Sequence, residues 1–180
     1  MARKRIIFSG SGGQGVITAS VILAEAAVLH EGLNAVQTQV YGPEARGGAT
    51  RADVIIDTKE IRYPKVDQPN ILVCLTQEAY NKFSPLIRPG GLLLADSHFV
   101  KLARKADARQ VEVGMYDAVM EEIGKPVVFN ICVLGTLIGL EKLVRPESLL
   151  EVLEHRVPSE FLDLNRKAFD LGLKLAASVA

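Results

Sequence analysis

The sequence predicts an α/β fold of three layers, with a mainly parallel central sheet, helices on both faces and a β-hairpin insertion. Three observations carry that expectation. Short apolar runs bounded by turn residues alternate with longer helix-period segments along the 180 residues. The first run enters a glycine-rich loop that opens a helix. Hydrophobic residues make up 48% of the chain, enough for a sheet covered on both sides. The length suits one domain over residues 1–180, and no repeat or linker divides it.

The elements follow in order. Residues 5–9 read as a buried strand and 14–30 as a helix, with Gly32 as its stop signal. That helix is apolar almost all round, so either the domain or a partner must cover it. A second strand is expected over 34–40, ending in another glycine-rich loop. Residues 49–57 are strand-like and turn at 57–60 into 61–64, a hairpin whose edge Pro64 marks. Further strands are expected over 70–75, 92–96 and 111–113, and helices over 77–87 and 117–123. The turn 88–91 stops the helix over 77–87. Asn130 is placed to cap a helix over 131–143, and Pro146 and Pro158 open two more in their first turns. In the last helix Phe161, Leu164, Ala168, Leu171 and Leu175 recur at spacings of three and four, as a core face. The basic run over 100–109 reads as a solvated face.

Composition narrows the function. Twenty-one basic and 21 acidic residues give no net charge, hence no field for nucleic acid or a membrane surface. There is no Trp and only 6% of residues are aromatic, so a stacking platform for single strands is not expected. Cys74 and Cys132 are far apart and lie in apolar runs, which suits buried hydrophobes and lacks the spacing of zinc or iron–sulfur ligands. The apolar run after the basic start is too short for a signal peptide, and residues 16–29 are too short and too interrupted to span a membrane. A cytoplasmic location is expected.

If the strands run parallel, the segments that follow them gather at one edge, where ligands of such sheets bind. They are Gly10–Gly15, Tyr41–Gly48, Thr76–Gln77, Asp96–His98 and Asn130. In the first loop, Gly10, Ser11, Gly12, Gly13, Gln14 and Gly15 fit GxGxxG between a strand and a helix, a place where backbone N–H groups attract an anion. The dinucleotide reading of that pattern needs an acid at the end of the second strand. None occurs there until Glu44, beyond a Gly-Pro turn, and no GKS or GKT follows to make a P-loop. In the second loop, Tyr41, Glu44, Arg46, Gly47 and Gly48 form either a surface turn with a local ion pair or a flexible carrier of Arg46 toward an anion. His30, His98 and His155 are scattered. Only His98 falls on the expected ligand edge, and none has a nucleophile beside it. The chain thus has loops for binding and little for making bonds.

Both loops resemble a known family. Residues Gly10 to Val16 are similar to the GxGGQG loop of the gamma subunit of 2-oxoacid:ferredoxin oxidoreductases, and Tyr41 to Gly48 to its YGPE(A/S)RGG segment. The matches continue through Tyr63-Pro64-Lys65-Val66, Leu75-Thr76-Gln77-Glu78-Ala79-Tyr80 and the Pro89-Gly90-Gly91 turn. They also include Asn130 with Leu134-Gly135, followed by Thr136 where related chains carry Ala. A separate chain of this length with YGPEARGG resembles the 2-oxoglutarate enzyme most, with the pyruvate, 2-oxoisovalerate and indolepyruvate enzymes as alternatives. The resemblance implies a subunit inactive alone, in a complex that converts a 2-oxoacid and coenzyme A to acyl-CoA and CO2 while reducing ferredoxin. It implies alpha and beta subunits as partners, with a ferredoxin-like delta subunit as a further candidate. Thiamine diphosphate, Mg2+ and iron–sulfur clusters would sit in those partners, and no cofactor would be held tightly here. Coenzyme A is the co-substrate, and both glycine loops and Asn130 would help to meet either it or the neighbouring subunit. A stand-alone nucleotide-dependent oxidoreductase, suggested by GxGxxG alone, is the competing reading.

Overall fold

The computed structural model describes residues 2–39, 49–103 and 106–179. Along them come β1 (Lys4–Gly10), α1 (Val16–Glu31), β2 (Asn34–Gln39), β3 (Thr50–Asp57), β4 (Ile71–Cys74) and α2 (Gln77–Phe83). β5 (Gly91–Asp96), β6 (Ala108–Val113), α3 (Met115–Glu122), α4 (Phe129–Glu141), α5 (Pro146–Arg156) and α6 (Ser159–Val179) follow. The strands form one sheet in the order β2-β3-β1-β4-β5-β6. β1, β4, β5 and β6 are parallel to one another, and β3 runs antiparallel to both its neighbours. The mainly parallel α/β sheet is therefore as expected.

The antiparallel hairpin is formed by β2 and β3, with Asn34 opposite Asp57 and Gln39 opposite Ala52. Residues 61–64, expected as the return strand, form none. β3 already has β1 on one side and β2 on the other, so neither of its edges is open to a third partner.

Period-2 alternation sorts the strand residues onto two faces. Ile6, Phe8, Val54, Val73 and Leu94 pack with α1, α3, α4, α5 and α6. Ile7, Ile55, Leu72 and Leu93 pack with Ala79, Tyr80 and Phe83 of α2. α2 itself stops at Phe83, where Pro85 tightens the chain into the 3-10 turn Ser84–Leu86.

α1 needs cover on more than one side and receives most of it within the chain. Ala19, Ile22, Leu23, Ala26 and Ala27 are buried, and α5 lies along another flank. There Arg156 donates two hydrogen bonds to Glu25, at 2.5 and 2.7 Å, and this pairing holds the Glu25 carboxyl below its ordinary range. Val28 and Leu29 stay exposed.

α4 is buried along its whole length from Phe129 to Ile138 and packs against α6. Glycine makes this possible. A Cβ on Gly135 would lie 2.2 Å from the Phe169 carbonyl oxygen, and one on Gly172 would lie 2.1 Å from that of Cys132. The stripe expected on α6 faces the core except at its first residue. Ala168 and Leu171 of that stripe are buried and Leu164 and Leu175 pack against the core, while Phe161 alone is exposed. The buried face widens to Asn165, Phe169, Gly172 and Ala176, where the small residues let the two backbones approach.

Two cap assignments also change. Asn130 is the second residue of α4, whose cap position is Val128 after the 3-10 turn Pro126–Val128. Pro158 precedes α6, whereas Pro146 is the first residue of α5 as expected. No helix among the described residues is long and apolar enough to cross a membrane.

Candidate functional site at the carboxyl edge

β2 and β1 are both antiparallel to β3, so they run the same way. The ends of β2, β1, β4, β5 and β6 consequently share one edge, at Gln39, Gly10, Cys74, Asp96 and Val113. The loop over 10–15, Thr76–Gln77 and Asp96–His98 are gathered there, as the topology required. The second loop, with Tyr41, Glu44, Arg46, Gly47 and Gly48, lies outside the described residues. The strands on either side of it, however, place Gln39 opposite Ala52 and Thr50 opposite Gly10, at this same edge.

The first loop is held by its own glutamine. The Ser11 N–H donates to Gln14 Oε1 at 2.7 Å, and Gln14 Nε2 donates to the Leu75 carbonyl at 2.9 Å. Gln14 thereby ties the loop to the end of β4. It uses the Ser11 N–H, so that group is a brace and not one of the donors offered outward. A Cβ on Gly10 would meet Gln14 Oε1 at 2.4 Å and so displace the bracing amide. Gly13 and Gly15 have φ of 88° and 70°, the left-handed region that side chains avoid.

Asn130 reaches the same loop from α4. Its Nδ2 donates to the Gly15 carbonyl at 3.4 Å, and a Cβ on Gly15 would lie 2.6 Å from Asn130 Cγ. Asn130 therefore supports the loop from behind and is itself buried.

Past Gly15 the helix begins. Its first backbone bond runs from Ala19 N–H to the Gly15 carbonyl at 2.9 Å. The N–H groups of Val16, Ile17 and Thr18 have no acceptor within the helix. Neither a side-chain cap nor an acidic residue stands in the first turn. This leaves the positive end of the helix dipole uncompensated beside the exposed Ser11, Gly12 and Gly13.

A second group was legible in the sequence only in part. Asp96, fully buried at the end of β5, accepts hydrogen bonds from the His98 N–H at 2.9 Å and the Tyr116 N–H at 2.8 Å. Burial pushes its carboxyl up from the ordinary range despite those two bonds. His98 Nδ1 lies 2.6 Å from Asp117 Oδ1, and His98, Phe99, Tyr116 and Phe129 form an edge-to-face aromatic cluster. The cluster adjoins the glycine loop through Phe129 and its neighbour Asn130. Asp96-Ser97-His98 was visible as a strand end. Its partners at 116 and 117 could be placed only once β6 was known to lie parallel beside β5.

Other chemistry-bearing residues have structural settings. Cys74 and Cys132 are free and buried; desolvation pushes both thiols up, Cys132 to about 12. His30 Nδ1 lies 2.7 Å from Glu151, and His155 is exposed on α5. A cavity of about 580 Å3, lined in part by Leu33, Ile138, Leu143 and Leu173, lies toward the opposite edge and does not include the loop.

Relatives share this fold and sequence over nearly the whole chain. The 2-oxoglutarate synthase subunit KorC of Methanocaldococcus jannaschii is 43% identical over 176 residues, covering 97% of this chain and 94% of that one. The solved keto/oxoacid ferredoxin oxidoreductase gamma subunit of Geobacter sulfurreducens superposes with a TM-score of 0.89 at 39% identity, covering 98% of this chain and 99% of its own. The 2-oxoglutarate:ferredoxin oxidoreductase of Magnetococcus marinus, solved with 2-oxoglutarate, coenzyme A and succinyl-CoA, shares the fold at a TM-score of 0.89 and 23% identity. All of this chain is covered in that superposition, and 32% of the Magnetococcus chain. The family matched over residues 5–175 is pyruvate ferredoxin/flavodoxin oxidoreductase, and the chain belongs to that family.

Proposed function

We propose that this chain is the gamma subunit of a thiamine diphosphate-dependent 2-oxoglutarate:ferredoxin oxidoreductase, acting as one domain within a cytoplasmic complex. The observation that carries the reading is the 43% identity, nearly end to end, with a 2-oxoglutarate synthase subunit. In that role the chain would join alpha and beta subunits that hold thiamine diphosphate and Mg2+, with iron–sulfur clusters there or in a ferredoxin-like delta subunit. The complex converts 2-oxoglutarate and coenzyme A to succinyl-CoA and CO2 and passes two electrons to ferredoxin.

The chain's own contribution is to bind and position. Gln14 and Asn130 hold the first loop in one shape. The unsatisfied N–H groups at the start of α1 suit a phosphate of coenzyme A or an acidic group of a partner subunit. Arg46, carried between Gly42 and Gly47-Gly48, adds a guanidinium that can bind either anion through two hydrogen bonds. The open Gly12-Gly13 segment lets another molecule approach the backbone closely.

The test is reconstitution. The purified chain alone is expected to reduce no ferredoxin with any 2-oxoacid. Addition to its alpha and beta partners should restore turnover, with kcat/KM for 2-oxoglutarate above that for pyruvate, 2-oxoisovalerate and indolepyruvate by about tenfold or more. Turnover by the isolated chain, or full activity of the partners without it, would overturn the assignment.

A further inference from the structure

The edge opposite the glycine loops carries a second charged feature. Arg5 lies near the start of β1, on the same face as Ile7 and next to the middle of the sheet. Arg88 follows the 3-10 turn after α2 on that face. Residues 69 and 70 fix both backbones. Arg5 N–H donates to Asn70 Oδ1 at 2.9 Å, Asn70 N–H donates to the Arg5 carbonyl at 2.7 Å, and Arg88 N–H donates to the Pro69 carbonyl at 3.0 Å. The two side chains line one polar pocket of about 210 Å3 with Tyr63, Lys65, Asp67 and Gln68.

The charges in that pocket do not balance. Lys65 pairs with Asp67 at 3.3 Å, both exposed. Arg5 and Arg88 are half-buried, and among the described residues neither guanidinium has an ion pair or side-chain hydrogen bond. Elsewhere this protein pairs its half-buried guanidiniums. Arg3 meets Asp57 at 2.6 Å, and Arg51 meets Asp53 at 2.7 Å. A half-buried cation without a counter-charge is costly, and two facing one pocket repel each other. Guanidinium forks and a tyrosine hydroxyl are donors suited to the oxygen atoms of a dianion. The volume lies below the roughly 300–1,000 Å3 of sites for drug-sized ligands, so it suits a compact group and not a whole nucleotide.

We propose that Arg5 and Arg88 form a binding site for a compact dianion, a phosphate group or a short dicarboxylate, on the edge away from the glycine loops. The site is separate from the role proposed for the carboxyl edge and stands or falls independently of it. The test titrates the full chain with inorganic phosphate, and in a parallel arm with succinate, at constant ionic strength set with chloride. Saturable one-to-one binding of at least one of them is expected. Phosphate alone would identify a tetrahedral oxyanion, and succinate alone a dicarboxylate. Arg5→Gln and Arg88→Gln should each weaken binding by about tenfold or more, the scale of one charge-assisted hydrogen bond. Their melting temperatures in chloride should match the parent, and Arg88→Gln decides the question if Arg5→Gln folds poorly. Titrations unchanged in both variants would overturn the site. So would a lack of saturation by either anion up to about 20 mM, where a Kd near 1 mM is fully visible.

Discussion

Gly172→Ala should destabilise the chain by about 3 kcal/mol or more and lower its melting temperature by about 10 °C. The sign is what makes the result informative. In an open helix, alanine in place of glycine gains about 1 kcal/mol from reduced backbone freedom in the unfolded state. Gly172 sits within α6, so propensity alone predicts a more stable protein. Packing predicts the reverse. The new Cβ would lie 2.1 Å from the Cys132 carbonyl oxygen, 2.7 Å from Thr136 N and 2.9 Å from Gly135 Cα. All three are backbone atoms of α4, and no side-chain rotation relieves them. α4 is buried on every side and cannot move away without opening the core around it. Thermal unfolding checks this directly, and a melting temperature equal to or above the parent's would show that the helices separate at little cost.

Gly15→Ala has a smaller effect on stability but reaches the site. Its φ of 70° costs a side-chain-bearing residue about 1 kcal/mol, and the Cβ also meets Asn130 Cγ at 2.6 Å. Together they should cost about 2–3 kcal/mol and displace the loop that Asn130 supports. The two causes separate in a double-mutant cycle. Asn130→Ala removes Cγ and Nδ2, both 2.6 Å from the new Cβ, but keeps Cβ at 2.8 Å. Gly15→Ala in that background should therefore cost less than in the parent but more than the backbone part of about 1 kcal/mol. Equal costs in both backgrounds, measured by denaturant unfolding, would show that Asn130 does not press on Gly15.

These two glycines also show how far the sequence can be read. Gly10, Gly12 and Gly15 between a strand and a helix marked the loop correctly, because that pattern is local and each backbone requirement lies within a few residues. What braces the loop is not local. Gln14 acts through Leu75, 61 positions away, and Asn130 through Gly15, 115 positions away. Asn130 was legible as important near a helix start, yet a cap and a brace look identical until the helix is seen to begin at Phe129. The hairpin is present, but its other strand is β2 and not residues 61–64, for a related reason. Thr50–Asp57 is a buried strand with the apolar run Val54-Ile55-Ile56, and its sequence does not reveal that β1 and β2 occupy both its sides. Gly172 lies inside the last helix and carries no local signal of its role. Its meaning came only from the α4 backbone lying against it.

Gly12 offers the most direct test of the view that the glycine loop serves something outside this chain. Gly13 and Gly15 are demanded by the fold through a left-handed φ, and a Cβ on Gly10 would displace the Gln14 brace. Gly12 is under neither constraint. A Cβ there meets nothing within 4 Å, and its φ lies outside the left-handed region. In the isolated chain Gly12→Ala should leave the melting temperature unchanged or raise it by about 1–3 °C. In the reconstituted complex the same substitution should raise the apparent KM for coenzyme A or weaken subunit association by about tenfold, the cost of crowding one close contact. Unchanged association and unchanged kinetics, with the chain fully folded, would contradict the claim that this edge of the sheet is a contact surface.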